Sequence, residues 1–252
     1  MNALDLAQGP ILLDARSLLV PSQPKRILAR DEDEGDACNG TDRHDALITG
    51  ARRDAGIDIE MLSGRQEARL LSLSAREGTP DKALSLLMDL DEFGARLVLV
   101  AGEEPIALWE LAIQMGHWAE AFANAPQCDW SGLLIALRTR VGQIVCDARL
   151  AVLRGAVPFA LATSGIAGAA VALASDGGKR TTLPLLRRAV GRLLPTGPVS
   201  SQSGPRGGGE GLMVSAVIVL ETILDHIGID VIQLVDRTFR HGVLVDTNRV
   251  RP

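Results

Sequence analysis

The sequence predicts an α/β protein built from two similar lobes. Apolar runs of strand length are interleaved along the chain with segments whose apolar residues recur every three to four positions. Near the middle, "LLMDLDEFGARLVLVAG" and "IALWELAI" supply three apolar runs parted by short polar turns, the pattern of an antiparallel meander. The 252 residues are 46% hydrophobic, enough for a substantial core. Aromatics make up only 3% and tyrosine is absent, so that core must be aliphatic.

Taken in order, "PILLDARSLLV" reads as a strand with Asp14 near a break, then a second short strand. Residues 29–45, "ARDEDEGDACNGTDRHD", read as a polar, acidic loop. A calcium loop would need ligands at alternate positions closing on a bidentate glutamate, and Asp31, Asp33 and Asp36 do not meet that pattern. "RHDALITGARRDAGI" suits a short helix that stops near Gly56, and "IDIEML" alternates like a strand. Ser63 is a good N-cap with Gln66 three residues on, so a helix should follow with Leu70, Leu71 and Leu73 on its apolar face.

After the meander, "MGHWAEAFAN" reads as a helix, and "SGLLIALRTRVGQIVCDARLAVLRG" as a long helix with a candidate interruption at Gly142. "VPFALATS" reads as a strand, "IAGAAVALA" as a buried helix and "TTLPLLRRAVGRLL" as an amphipathic one. Residues 195–211, dense in Pro, Gly and Ser, read as a flexible connector. Their "GPRGGG" run has no strand before it, so it is a poor dinucleotide fingerprint. "LMVSAVIVLETILDHIGI" should be a strongly apolar helix ending at Gly228, and "DVIQLVDRTFRHGVLVD" a closing strand and basic turn.

Composition narrows function. A net charge of −5 and few aromatic rings argue against a nucleic-acid surface. Cys38, Cys128 and Cys146 show neither metal spacing nor a disulfide framework, which fits reduced thiols in a cytoplasmic protein. The N-terminus has no basic region before its apolar run, and no apolar stretch approaches ~18 residues without interruption, so neither a signal peptide nor a membrane span is expected. His44, His117, His226 and His241 form no triad motif with a Ser or Cys. The acids Asp89, Asp91 and Glu92 in the first meander turn leave three readings open: a metal-binding turn, a solvated turn, or the remains of another site.

Two stretches resemble a known family. "GIDIEMLSGRQEARLLSL", residues 56–73, is similar to the Gly-Ile-x-Ile-x-Val-Ile-Ser-Gly-x-Glu-Glu-Ala-Arg-Leu segment of the exopolyphosphatase/guanosine pentaphosphate phosphatase (Ppx/GppA) family. Residues 215–246, "SAVIVLETILDHIGIDVIQLVDRTFRHGVLVD", resemble that family's closing helix, strand and basic turn. The resemblance implies an actin-like (ribonuclease H-like) two-lobe fold, with a shortened N-terminal lobe over residues 1–82 and the C-terminal lobe over 83–252. It implies hydrolysis of terminal phosphate from polyphosphate or guanosine pentaphosphate in an inter-lobe cleft, assisted by Mg2+, and a homodimer.

Carried over position by position, the resemblance makes Glu67 the general base, Asp14 and Asp89 magnesium-associated, and Ser17, Thr163 and Gly165 phosphate-binding. Glu67 also reads as an ordinary first-turn helix residue and Asp89 as a strand-end cap. Gly242 and Arg240 read as fold residues of the last turn. The phosphate loops depart from the family. Where it has Asp-Ile-Gly-Gly-Gly-Ser-x-Glu-Leu, this chain has Asp89 to Leu97 with Asp91, Glu92 and Phe93 in place of the glycines and Arg96 in place of the glutamate. Each added carboxylate would oppose a phosphate by on the order of 4 kcal/mol at ~4 Å and an effective dielectric of ~20. Arg96 could instead stand in for a cation beside Asp89 or Glu67. Three readings follow: a pseudoenzyme that binds a protein partner or a nucleotide, a phosphohydrolase on an altered substrate using Glu67, or a remnant without a selected role.

Overall fold

The computed structural model describes residues 11–13, 25–30, 48–54, 57–75, 84–102, 104–125, 129–163, 165–193, 208–235 and 241–242. The chain divides into two units, Met1–Ser74 with Phe239–Pro252, and Ala75–Thr238.

The first unit holds three parallel strands in the order β1 (Ile11–Leu13), β2 (Lys25–Arg30) and β3 (Ile57–Leu62). A short helix α1 over residues 48–54 precedes β3, and α2 (Gly64–Ala75) follows it. Of the acidic loop expected from Ala29, Ala29 and Arg30 belong to β2 and pair with Met61 and Leu62, and residues 31–45 lie outside the described residues. Charged residues at both ends of "KRILAR" hide a short apolar run that a central parallel strand needs. At the start of α2 the expected capping box is present. Gln66 Oε1 accepts from the Ser63 N–H at 2.8 Å, and the Gln66 N–H donates to Ser63 Oγ at 3.3 Å. Ala68, Leu70, Leu71 and Leu73 are buried along α2, while Arg65 and Arg69 stay outside.

The second unit is built on a six-stranded sheet. Its strands are β4 (Leu84–Leu90), β5 (Ala95–Ala101), β6 (Glu104–Leu111), β7 (Ala160–Ala162), β8 (Arg180–Thr182) and β9 (Val231–Leu234). They lie in the order β6-β5-β4-β7-β9-β8. β4, β5 and β6 are the expected antiparallel meander; β7 joins β4 in parallel, and β9 joins β7 in parallel. β8, antiparallel to β9, lies where the sequence reading had only a helix. Three residues are too few to show alternation ahead of the stronger helical period.

Alternation along the strands splits the sheet into two faces. Leu86, Met88 and Leu90 of β4, Ala95 and Leu97 of β5 and Ala160 and Ala162 of β7 enter one core. Buried residues of α3 (Met115–Asn124), α4 (Trp130–Asp147), α5 (Ile166–Ala174), α6 (Leu183–Leu193) and α7 (Gly208–Ile227) join it. α7 is the centre of this layer: Ala216 to Leu220 are fully buried in succession, so the helix is enclosed all round. Its start at Gly208 takes residues 208–211 out of the expected connector, of which 195–207 lie outside the described residues. α4 runs without interruption through Gly142, where the His226 ring of α7 packs, and ends at Asp147 before a 3-10 turn over Leu150–Leu153. Phe122 and Trp130 meet edge-to-face with centroids 5.5 Å apart within a largely aliphatic core.

Candidate functional site

β4 and β7 run side by side and end together, so the residues just past their ends are neighbours. Asp89 stands near the end of β4 and Thr163 directly follows β7. The Thr163 N–H donates to the Met88 carbonyl at 3.0 Å, and the buried Thr163 hydroxyl donates to Asp89 Oδ1 at 2.5 Å. Gly165 is the N-cap of α5, with φ 125° and ψ −144°, a conformation open to glycine alone. Three sequence-derived candidates, Asp89, Thr163 and Gly165, thus come together at one end of the sheet.

The turn between β4 and β5 is closed on itself. One Asp91 carboxylate oxygen accepts from the N–H groups of both Phe93 and Gly94, each at 2.9 Å. The Asp91 N–H donates back to the Gly94 carbonyl at 3.1 Å. Two more of its carbonyls are pinned to the entry of α3, Phe93 by the Gln114 N–H at 2.6 Å and Glu92 by the Gly116 N–H at 2.7 Å. Gly94 is fixed by close approach, since a Cβ there would run into the Leu111 carbonyl at the end of β6. Amides of a strand-turn-strand loop can cradle an anion, and here the anion is the turn's own carboxylate. Two amides of this acidic turn are therefore satisfied from within the turn. Phe93 is half-exposed at the turn's tip.

Across the meander, Asp89 of β4 is the register partner of Arg96 of β5, and Arg96 is the register partner of Glu110 of β6. Arg96 is buried at 6% exposure and donates through Nε to Glu110 Oε1 at 3.1 Å. The sequence reading placed Arg96 beside Asp89 or Glu67 and missed Glu110. Aligning "ARLVLVA" against "EPIALWEL" as a hairpin would have found it.

In the first unit, Glu67 lies in the first turn of α2 and is 7% exposed. Its N–H donates to the Ser63 carbonyl at 3.0 Å. Gly242 presses on the Leu70 carbonyl of the same helix, where a side chain has no room, as a fold residue would. Asp14, Ser17 and Arg240 lie outside the described residues.

The Mg2+ implied by the resemblance does not fit the groups around Asp89. One of its oxygens already takes a hydroxyl proton, a buried guanidinium is its cross-strand partner, and the nearby Asp91 carboxylate holds two amides. No cluster of three or more His, Cys, Asp or Glu suited to a metal occurs among the described residues.

A second polar cluster went unread in the sequence. Glu221, in the apolar middle of α7, is 4% exposed. Arg138 of α4 reaches its Oε2 at 2.9 Å and Arg187 of α6 its Oε1 at 3.1 Å, while Arg187 also holds Asp225 at 2.7 Å. Glu221, followed by Asp225, raises the Arg187 guanidinium above its ordinary range. A glutamate inside so apolar a helix is the signal of a buried, paired charge.

A meander joined to parallel strands, layered with helices and accompanied by a second unit with a parallel sheet, defines an α/β protein of the actin-like class. The Ppx/GppA phosphatase of Aquifex aeolicus matches with a TM-score of 0.67 over 88% of this chain and 74% of its own, at 14% identity. An exopolyphosphatase-like protein matches with a TM-score of 0.67 over 91% of this chain and 79% of its own, at 16% identity. An exopolyphosphatase from Cytophaga hutchinsonii gives 0.56 over 88% and 74%, at 14% identity. No protein-family model and no curated protein matches the chain. The chain therefore has the fold of the Ppx/GppA phosphatases.

Proposed function

We propose that this chain is a divergent Ppx/GppA-type protein that has lost phosphoanhydride hydrolysis and acts as a binding or regulatory protein. The observation that carries this reading is the Asp91 turn. Its Phe93 and Gly94 amides are held by an internal carboxylate, so an incoming phosphate meets negative charge where it needs donors. Phosphoryl transfer depends almost wholly on positioning and charge neutralisation, and a filled cradle supplies neither. The partner is another protein, a nucleotide or a second copy of this chain; the homodimer can be checked by sedimentation. No helix among the described residues is long and apolar enough to cross a membrane.

The test is phosphate release from short polyphosphate and from guanosine pentaphosphate with Mg2+, wild type against Glu67→Ala. The expected result is no release above the level of the variant. A second reading, hydrolysis of an altered phosphorylated substrate with Glu67 as general base, draws support from the grouping of Asp89, Thr163 and Gly165. Release that disappears in Glu67→Ala would establish it and overturn the first.

A further inference from the structure

The charge cluster on α7 borders a cavity of about 390 Å3. It lies in the helix layer, between Arg138 of α4 and Arg187 of α6, over Glu221, Thr222, Asp225 and His226 of α7. Every lining residue is polar or charged, and Asp89, Thr163 and Gly165 are not among them. Arg138 turns Nε and Nη2 to Glu221 Oε2, at 3.0 and 2.9 Å, and its Nη1 meets no acceptor among the described residues. Arg187 donates through Nε to Glu221 Oε1 at 3.1 Å and through Nη2 to Asp225 Oδ1 at 2.7 Å, which leaves its Nη1 equally unmet. Asp225 Oδ2 has no donor among the described residues. The Thr222 hydroxyl bonds the Ile218 carbonyl at 2.7 Å and His226 Nδ1 the Thr222 carbonyl at 2.8 Å, so these two are wall.

The unmet groups are adjacent. Nη1 and Nη2 of Arg187 share one carbon, and Oδ1 and Oδ2 of Asp225 share another, so a donor and an acceptor flank one 2.7 Å bond. The formal charges also cancel, two arginines against two carboxylates. A simple anion would meet the donors alone and set negative charge beside Asp225. A simple cation would meet the acceptor alone and sit beside two guanidiniums. A molecule carrying both a carboxylate and an ammonium meets both sets and adds no net charge.

We propose that this cavity binds a small zwitterion of the α-amino-acid class, its carboxylate on Nη1 of Arg138 and Arg187 and its ammonium on Asp225 Oδ2. Such a ligand has its two charged groups on one carbon, the same adjacency that the Arg187–Asp225 pair presents. A cavity of this size, near the lower end of the roughly 300–1,000 Å3 of ligand sites, has room for it. Once bound, it ties α4 and α6 together across α7. The site goes beyond the non-hydrolytic reading and stands or falls without it.

The experiment is thermal unfolding of the full chain with each of the twenty amino acids and with inorganic phosphate, at constant ionic strength, followed by calorimetric titration of those that shift the Tm. At least one amino acid should raise the Tm by about 3 °C at a tenfold excess over its Kd, and phosphate should not. Its N-acetyl form, without the ammonium, and its amide, without the carboxylate, should each bind about tenfold more weakly or worse. Asp225→Asn and Arg187→Met should each raise the Kd by about tenfold or more. Arg188→Met, on the same helix and outside the cavity, should leave the Kd unchanged. If Arg187→Met does not fold, Asp225→Asn decides, since that side chain is half-exposed. No binding by any amino acid overturns the proposal, as does a Kd that Asp225→Asn leaves unchanged. Phosphate binding that Arg187→Met abolishes also overturns it, by making the cavity an anion site.

Discussion

At the scale of single residues, the β4–β5 turn is the most constrained point near the candidate site. Asp91→Ala removes the acceptor of two backbone N–H groups, and leaving such groups unmet costs about 1–3 kcal/mol. Asp91→Asn keeps one carbonyl oxygen and should lose less than Asp91→Ala; urea denaturation of the two variants checks the order. Gly94→Ala drives a Cβ into the Leu111 carbonyl, and backbone on both sides must shift, so a loss of about 1–3 kcal/mol is expected in the same measurement. The places of Asp89, Thr163 and Gly165 in the fold were legible in the sequence, because each sits at the end of a predictable strand or the start of a helix. What Asp91 does was not legible. The same three letters, Asp-Glu-Phe, are compatible with a carboxylate facing solvent or facing its own amides, and only the backbone path decides between them.

At the scale of elements, two sites carry clear expectations. Ser63→Ala removes the cap of α2 and should cost about 1 kcal/mol, read as faster hydrogen exchange in the first turn of that helix. The clamp on α7 is graded. Arg187→Met leaves Glu221 one guanidinium, that of Arg138, and should cost about 1–2 kcal/mol by urea denaturation. Arg138→Met with Arg187→Met leaves a buried carboxylate alone and should cost about 3–5 kcal/mol or more, with Glu221→Met recovering much of it. The Arg187 contribution has a defined pH dependence. Its folded-state pKa is raised, so the stabilisation is fully present below the ordinary arginine value and is lost only as pH climbs through the higher folded one. Wild type minus Arg187→Met should therefore stay constant through the neutral range. Helices with strong periodicity or good caps, α2, α3 and α7, were readable from sequence; α3 matches its expected span, Met115 to Asn124. β2 and β8 were not. One is masked by flanking charges and the other is three residues long, and both exist because neighbouring strands supply their hydrogen bonds.

At the scale of the whole molecule, the second unit is organised around a helix whose middle, Ala216 to Leu220, is fully buried, and stability should be distributed accordingly. Native-state hydrogen exchange should find its slowest amides between Ala216 and Leu224, and Ser63→Ala should leave them unchanged while α2 exchanges faster. The strand order has a further consequence, for synthesis. β9 lies between β7 and β8, although it is made after both. While the ribosome is still translating residue 230, β8 has no partner and β7 has one open edge. α7, with its apolar middle, has by then only just been made, and the sheet it is to cover is still incomplete. The four residues Val231–Leu234 are therefore the closing piece, and a nascent chain stalled before them presents an open strand edge and an unfinished core to the cell's chaperones.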